Sequence, residues 1–330
     1  MSQELPTFFF DPQTNQQIHD AMPELILDFL AVITRLGDGA VIVAIAILFY
    51  WFGAETDWRK RGMLMAIAVA TLSLNAGLKG IIGMGRPYQV AELAFAVEAT
   101  GYSTPSAHAM GAAAVYGGLA VVMDTGKRWQ RYLVAGFLIF SIALSRVTLG
   151  VHYLGDVIFG VALGLALVAG ALYMVDESTE SVLPMFAFAL GVALVSNPLG
   201  SEEFVTMSIG ASLGGLLGWK YIHDRDPSPL GASIVAFGIL LIPAFLAFRV
   251  VESLVTVDIF VEIAGFELPI MPGFRAAGYA LLFGLALSVP VLAEKLNDNP
   301  RVLQLQAALP FTGRVLDPDL FEEDHEETPQ

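Results

Sequence analysis

In the stretch Ser145-Arg146-Val147-Thr148-Leu149-Gly150-Val151-His152-Tyr153-Leu154-Gly155-Asp156, two cationic or titratable bases and a carboxylate sit between two long apolar runs. The runs cover about residues 132–149 and 154–175. Each is long enough to cross a bilayer as a helix, which takes roughly 17–25 mostly apolar residues. The reading is therefore a pair of membrane-crossing helices whose shared turn carries Arg146, His152 and Asp156. Ionisable groups at that depth are costly and need a reason to be there.

Working outward, apolar runs recur at 37–54, 62–82, 107–123, 182–199, 204–222, 230–248 and 274–293. The expected fold is all-α: a polytopic membrane helical bundle of about nine transmembrane helices. The segment 23–35, PELILDFLAVITR, is apolar but short and ends at Gly37-Asp38-Gly39, so it is expected to be an interfacial helix. Residues 1–22 form an N-terminal extracytoplasmic segment on this reading. The first twenty lack the basic start and apolar core of a cleavable signal peptide. Residues 23–175 make a catalytic core, 176–295 a four-span extension, and 296–330 an acidic cytoplasmic tail ending in the solvated FEEDHEETPQ.

Composition agrees. The chain is 55% apolar and 15% charged, with a mean hydropathy of +0.66, against about 25% charged in soluble domains. Acidic residues outnumber basic ones 32 to 17, for a formal net charge of −15. That balance argues against a nucleic-acid partner, which needs basic patches. It suggests a halophile, whose acidic proteome relies on salt to screen self-repulsion. With no cysteine, disulfides, thiolate catalysis and cysteine-based metal sites are excluded.

Basic residues orient the helices, because cytoplasmic loops collect Lys and Arg. With the N-terminus out and the C-terminus in, Arg59, Lys60, Arg61, Lys127, Arg128, Arg131, Lys220, Arg225, Lys295, Arg301 and Arg314 lie inside. Arg35, Lys79, Arg86, Arg146, Arg249 and Arg275 lie outside. Three of the outer six belong to polar groups at helix ends: Lys79 through Arg86-Pro87, Pro105-Ser106-Ala107-His108, and Ser145 through Asp156. Counting crossings puts all three groups on the extracytoplasmic face of a cell-membrane protein.

Their chemistry follows from charge. Lys79, Arg86 and Arg146 can hold a phosphate dianion, arginine donating in parallel to two oxygens. Ser106 opens a helix, where backbone N–H groups favour an anion. His152 and Asp156, four apart, share a helix face. A carboxylate bonded to one imidazole nitrogen leaves the other free as a nucleophile. His108, from another helix, can protonate the departing oxygen. Such a site needs no metal and no cofactor.

These segments resemble the three signature motifs of the type 2 phosphatidic acid phosphatase family, relatives of the vanadium haloperoxidases. The family pattern is Lys-x6-Arg-Pro, Pro-Ser-Gly-His and Ser-Arg-x5-His-x3-Asp. The first and third are matched completely, and the resemblance spans about residues 23–175. It implies that Lys79, Arg86, Ser106 and Arg146 bind phosphate, His152 attacks phosphorus, Asp156 orients it, and His108 is the general acid. Pro87 and Ser145 match as supporting positions. Ala107 stands where the family has Gly; it keeps the backbone N–H that commonly contacts phosphate but restricts positive φ.

The expected function is metal-independent hydrolysis of a lipid-linked phosphomonoester or diphosphate through a phosphohistidine. The substrate is a lipid phosphate in the outer leaflet, and the loop 88–104 overhangs the site. A head-group phosphotransferase is the enzymatic alternative. An anion or lipid transporter is the non-enzymatic one, although helices six to nine carry almost no polar groups to line a path. Asn75 is read as support for Lys79 or as packing, and the glycines of 160–164 and 210–218 as helix contacts. His223-Asp224 is read as a solvated loop, and Arg249 and Arg275 as anchors of helix ends. The sequence selects neither an oligomeric state nor a role for the last four helices.

Overall fold

The computed structural model describes residues 7–53, 56–93, 95–174, 182–196, 202–254, 260–263 and 266–308. A 3-10 turn at Thr7–Phe10 leads into α1 (Pro12–Asp20), α2 (Glu24–Ile33), a second 3-10 turn (Thr34–Gly37) and α3 (Gly39–Phe52). Then come α4 (Trp58–Ile82), the short α5 (Pro87–Val90), α6 (Ala107–Val122), α7 (Arg128–Thr148) and α8 (Leu154–Met174). The C-terminal half holds α9 (Val182–Ser196), α10 (Glu202–Ile222) and α11 (Gly231–Leu254). It continues through strands β1 (Phe260–Ile263) and β2 (Phe266–Pro269) to α12 (Ile270–Glu294) and α13 (Pro300–Ala308). The fold is helical as expected, apart from one antiparallel hairpin pairing Phe260 with Pro269 and Ile263 with Phe266.

Local sequence sets the helix ends. Asp57 caps α4 by accepting the Arg59 N–H at 2.8 Å. Gly83 closes α4 in the left-handed conformation (φ 59°), its N–H bonded to the Lys79 carbonyl at 3.0 Å. Ser106 is the N-cap of α6.

All nine runs read as spans are helical. By length and apolarity five helices among the described residues qualify as spans by themselves: α4, α7, α8, α11 and α12. A sixth is formed if α2 and α3, bent by 57° at Asp38, count as one broken span. The expected interfacial helix is α2, and it meets the expected first span, α3, at this bend. At 16 and 15 residues, α6 and α9 are short for a crossing. Nearly all of α6 is buried among its neighbours, so protein rather than lipid surrounds it.

α6 is the axis of the core, with α3, α4, α7 and α8 around it. Gly160 and Gly164 let α8 lie against α6: a Cβ there would come within 2.8 Å of the Ser106 carbonyl oxygen and 2.5 Å of that of Met110. Gly210 and Gly214 bring α10 as close to α12, where a Cβ would come within 2.5 Å of the Ala276 carbonyl oxygen and closer still to that of Ala280, and Gly218 lies against Gly284. Small residues at such contacts are how helices associate in lipid. α9 and α10 pack on α4, and Trp58 stacks on Trp219 at 5.5 Å. The Tyr50 hydroxyl donates to the Leu287 carbonyl at 2.7 Å, and the Trp51 indole to that of Ala286 at 2.8 Å. The four-helix extension is therefore built into the bundle.

Other faces stay apolar and open: Leu133 and Phe140 on α7 and Leu240 on α11 are 62%, 66% and 64% exposed. Those faces suit a bilayer. The loop expected over 249–273 is largely structured, since α11 runs to Leu254 and α12 starts at Ile270. Within the expected tail, α13 packs on α11, and the Gln306 side chain accepts the Ala232 N–H at 2.9 Å. FEEDHEETPQ lies outside the described residues.

Candidate active site

The C-terminal ends of α4 and α7 and the N-terminal ends of α6 and α8 meet at one end of the bundle, bringing the three polar groups together. His152 lies in the turn between α7 and α8, 2% exposed, and Asp156 in the first turn of α8 is fully buried. The His152 Nδ1 is 3.4 Å from Asp156 Oδ2. Arg86 Nη1 is 3.3 Å from His152 Nε2. A guanidinium only donates, so Nε2 is the unprotonated nitrogen and the ring proton sits on Nδ1, facing the carboxylate. Burial holds this imidazole far below its usual range, at about 3. His152 is thus a neutral base with its lone pair aimed at the guanidinium.

Asp156 is held more tightly than its spacing revealed. It accepts the Tyr153 N–H at 2.8 Å and the hydroxyls of Ser103 and Thr104. Those two residues, just before the second motif, lock the carboxylate against the histidine. Asn15 of α1 was also missed. Fully buried, its amide donates to the carbonyls of Val147 at 2.9 Å and His152 at 2.8 Å. The N-terminal segment therefore grips the turn that carries His152. Its His19 stacks on Phe95 at 3.9 Å.

The three cations differ in how free they are. Arg86 donates to the carbonyls of Thr100 at 2.6 Å, Gly101 at 2.9 Å and Val151 at 2.9 Å. It clamps residues 99–101 of the overhanging loop to the His152 turn, which leaves few donors for an anion. Arg146 gives one bond, to the Thr34 hydroxyl at 2.9 Å, and its buried Nε has no partner. Lys79 makes no ion pair among the described residues. Lys79 and Arg146 are thus the cations with open valence. The loop after α5 is pinned over the site by Tyr88, whose hydroxyl donates to the Ala99 carbonyl at 2.6 Å, and by Val97 N–H on the Leu149 carbonyl at 3.2 Å.

Ser106 caps α6 and its own N–H donates to the Asp156 carbonyl at 3.2 Å, while the first-turn N–H groups after it have no carbonyl partner within the helix. Ala107 is the first helical residue, so its backbone is right-handed and its methyl causes no strain. His108 lies on the next position, its Nε2 2.9 Å from Asp38 Oδ1. The Ser145 hydroxyl bonds the Ile142 carbonyl within α7 at 2.6 Å, so it serves the helix. Pro87 is buried at the start of α5. Asn75 reaches the Pro105 carbonyl at 3.2 Å and so steadies the second motif rather than Lys79.

The residues given bland readings stay apart from the cluster. His223 Nδ1 is 2.8 Å from the exposed Asp224. Arg249 and Arg275 both pair with the buried Glu252, at 2.6 and 3.2 Å. A cavity of about 1180 Å³, lined by Trp58, Arg61 and Arg225 among others, contains no motif residue. Among the described residues no cluster of His, Asp and Glu has the form of a metal site.

Residues 59–180 match the model of the PAP2 superfamily. Phosphatidylglycerophosphatase B of Bacillus subtilis (strain 168) is 33% identical over 145 residues, covering 41% of this chain and 68% of that protein. The crystal structure of the first transmembrane PAP2 type phosphatidylglycerolphosphate phosphatase from Bacillus subtilis is 27% identical. It covers 53% of this chain and 90% of its own, with a TM-score of 0.43. The matched family region starts beyond Asn15, Thr34 and Asp38, so the N-terminal supports of the site lie outside it. With one third of the residues identical over two thirds of a curated relative, the chain belongs to the PAP2 superfamily.

Proposed function

We propose that the chain is a membrane lipid phosphatase that hydrolyses a lipid-linked phosphomonoester or diphosphate through a phosphohistidine, without metal or cofactor. The observation that carries this is the meeting of His152, tautomer fixed, with Arg86 at 3.3 Å and Asp156 at 3.4 Å beside the open donors of Lys79 and Arg146. The similarity to phosphatidylglycerophosphatase B supports a lipid phosphate as substrate.

The lone pair of His152 Nε2 attacks phosphorus as the bond to the lipid oxygen breaks. That oxygen takes a proton from His108, leaving the lipid alcohol, or the lipid monophosphate if the substrate is a diphosphate. Asp156 stabilises the positive charge the ring acquires. Lys79, Arg146 and the N-terminus of α6 hold the phosphoryl oxygens. His108, now neutral, takes a proton from the water that attacks phosphorus and frees His152. The cations of the helix ends remote from the site, among them Arg59, Lys60, Arg128 and Arg131, support an extracytoplasmic site with the N-terminus out and the C-terminus in. The charge of −15 supports operation in high salt.

The test is phosphate release from lipid phosphates in detergent with excess EDTA, wild type against His152→Ala. Release that survives chelation and vanishes in the variant is expected. Release equal in both proteins would overturn the assignment of the nucleophile, and release that EDTA abolishes would overturn the metal-free mechanism.

A further inference from the structure

The 3-10 turn Thr34–Gly37 and Asp38 occupy the bend between α2 and α3. The sequence presents them as a helix stop. In the structure they are fastened to the helices that carry the motifs. The Tyr116 hydroxyl of α6 donates to the Leu36 carbonyl at 2.8 Å. Arg146 of α7 donates to Thr34. Gly37 lies flat against His108 of α6, so close that a Cβ there would sit 3.1 Å from the ring Cδ2 and 2.6 Å from Ile142. Beside it Asp38 reaches the His108 Nε2 at 2.9 Å. His108 Nδ1 has no hydrogen-bond partner among the described residues.

We propose that Asp38 is the positioning residue of the general acid: it fixes His108 through Nε2 so that the Nδ1 proton points at the departing oxygen. The proposal rests on the phosphatase reading. In the protonated ring both nitrogens donate, Nε2–H to the Asp38 carboxylate and Nδ1–H to the leaving oxygen. As the phosphorus–oxygen bond breaks, the Nδ1 proton moves to that oxygen, and His108 remains neutral with Nε2–H still on Asp38. The charged groups facing His108 are Asp38 from the bend, Arg146 from α7 and Lys79 from α4. Arg35 stands behind Asp38 at 3.8 Å but is 78% exposed, so it contributes little. Asp38 is thus the carboxylate that faces the ring, and Gly37 fixes the distance at which it does so.

An acid matters in proportion to how poor the leaving group is, and that separates a positioning role from a structural one. Dioleoyl phosphatidic acid expels an alkoxide, whereas dioleoylglycerol pyrophosphate expels a phosphate that needs no proton. Asp38→Asn keeps the shape and loses the charge; Asp38→Glu keeps the charge. Supporting groups of this kind are worth roughly 10- to 100-fold. The expected result for Asp38→Asn is a loss of that size in kcat on phosphatidic acid, KM within about twofold, and under about threefold loss on the pyrophosphate. Asp38→Glu should recover most of the loss. Equal losses on both substrates, in protein that melts like wild type, would overturn the proposal, as would no loss on phosphatidic acid. Wild-type release that His152→Ala abolishes keeps the phosphatase reading whatever Asp38 does. If wild type and His152→Ala release phosphate alike, that reading falls and this proposal with it.

Discussion

Replacing Asp156 by asparagine removes one charge while keeping the side chain's shape. The carboxylate is fully buried and receives the Tyr153 N–H, the Ser103 and Thr104 hydroxyls and His152 Nδ1. An amide oxygen at the Oδ2 position can still accept from His152 and Tyr153. The amide nitrogen then faces Thr104, whose hydroxyl can turn to accept. Folding should survive. What is lost is the charge opposite a ring that becomes cationic when phosphorus is bound. Two unit charges at the 3.4 Å separation of this pair interact by about 5 kcal/mol at an effective dielectric of 20, an upper bound. Exchanging a charge-assisted hydrogen bond for a neutral one costs about 1.5 kcal/mol, a lower bound. The range corresponds to roughly a 10-fold to several-thousand-fold drop in kcat. Phosphate release at saturating lipid measures it, and a thermal melt in detergent shows that the fold is intact. A well-folded Asp156→Asn protein with kcat within about threefold of wild type would refute the role given to this carboxylate.

Asn15→Ala strips two carbonyls at the His152 turn of their donor, which costs about 1–3 kcal/mol for a buried unsatisfied group. A lower melting temperature and a kcat loss larger than any rise in KM are expected; unchanged kcat would remove α1 from the catalytic apparatus. His152 is held at about 3 by burial, below its unfolded value near 6.5, so between these values the unfolded chain binds a proton that the native one does not. Its contribution to stability is therefore intact above about pH 6.5 and declines as pH falls toward 3. The nucleophile stays neutral through that window, so a kcat that falls with an apparent pKa of 6–7 and follows protonation of His152 in its NMR spectrum would contradict the geometry. Diluting salt from about 1 M to 0.1 M lengthens the screening distance from about 3 to 10 Å. With a net charge of −15 the melting temperature should fall, and a flat salt series would argue against a high-salt habitat.

What could be read from the sequence was whatever hydropathy and spacing encode. Nine apolar runs located nine helices. Residues four apart, His152 and Asp156, proved to be partners, and three motifs at helix ends proved to share one end of the bundle. What could not be read depends on contacts distant along the chain. Asn15 is 137 positions from His152, and Asp38 is 70 from His108, and neither lies in a repeated pattern. Ser103 and Thr104 are close to the second motif, but only the folded turn shows that both hydroxyls face Asp156. Arg86 shows a second kind of contact that the sequence hides. Its charge suggested a phosphate ligand, yet the acceptors that engage it are backbone carbonyls, which residue type alone does not disclose. Hydropathy alone does not set the number of spans, for a related reason. Hydropathy marks an apolar helix equally when lipid surrounds it and when, as for α6, protein does.

The two histidines differ in their access to water, and that asymmetry orders the reaction. Both pair with a carboxylate, His152 with Asp156 and His108 with Asp38. The first pair is sealed, 2% and 0% exposed; the second is open, 21% and 37%. A nucleophile must keep its lone pair, and a ring cut off from water and facing a guanidinium is poorly placed to capture a proton before the phosphate arrives. An acid must be reloaded in each turnover, and a ring within reach of water, with a carboxylate to hold its charge, can be. The division of labour therefore resides less in the histidines than in what buries them. For His152 that is α1, Ser103 and Thr104; for His108 it is the single bend at Gly37-Asp38, which leaves one side of the ring open to solvent.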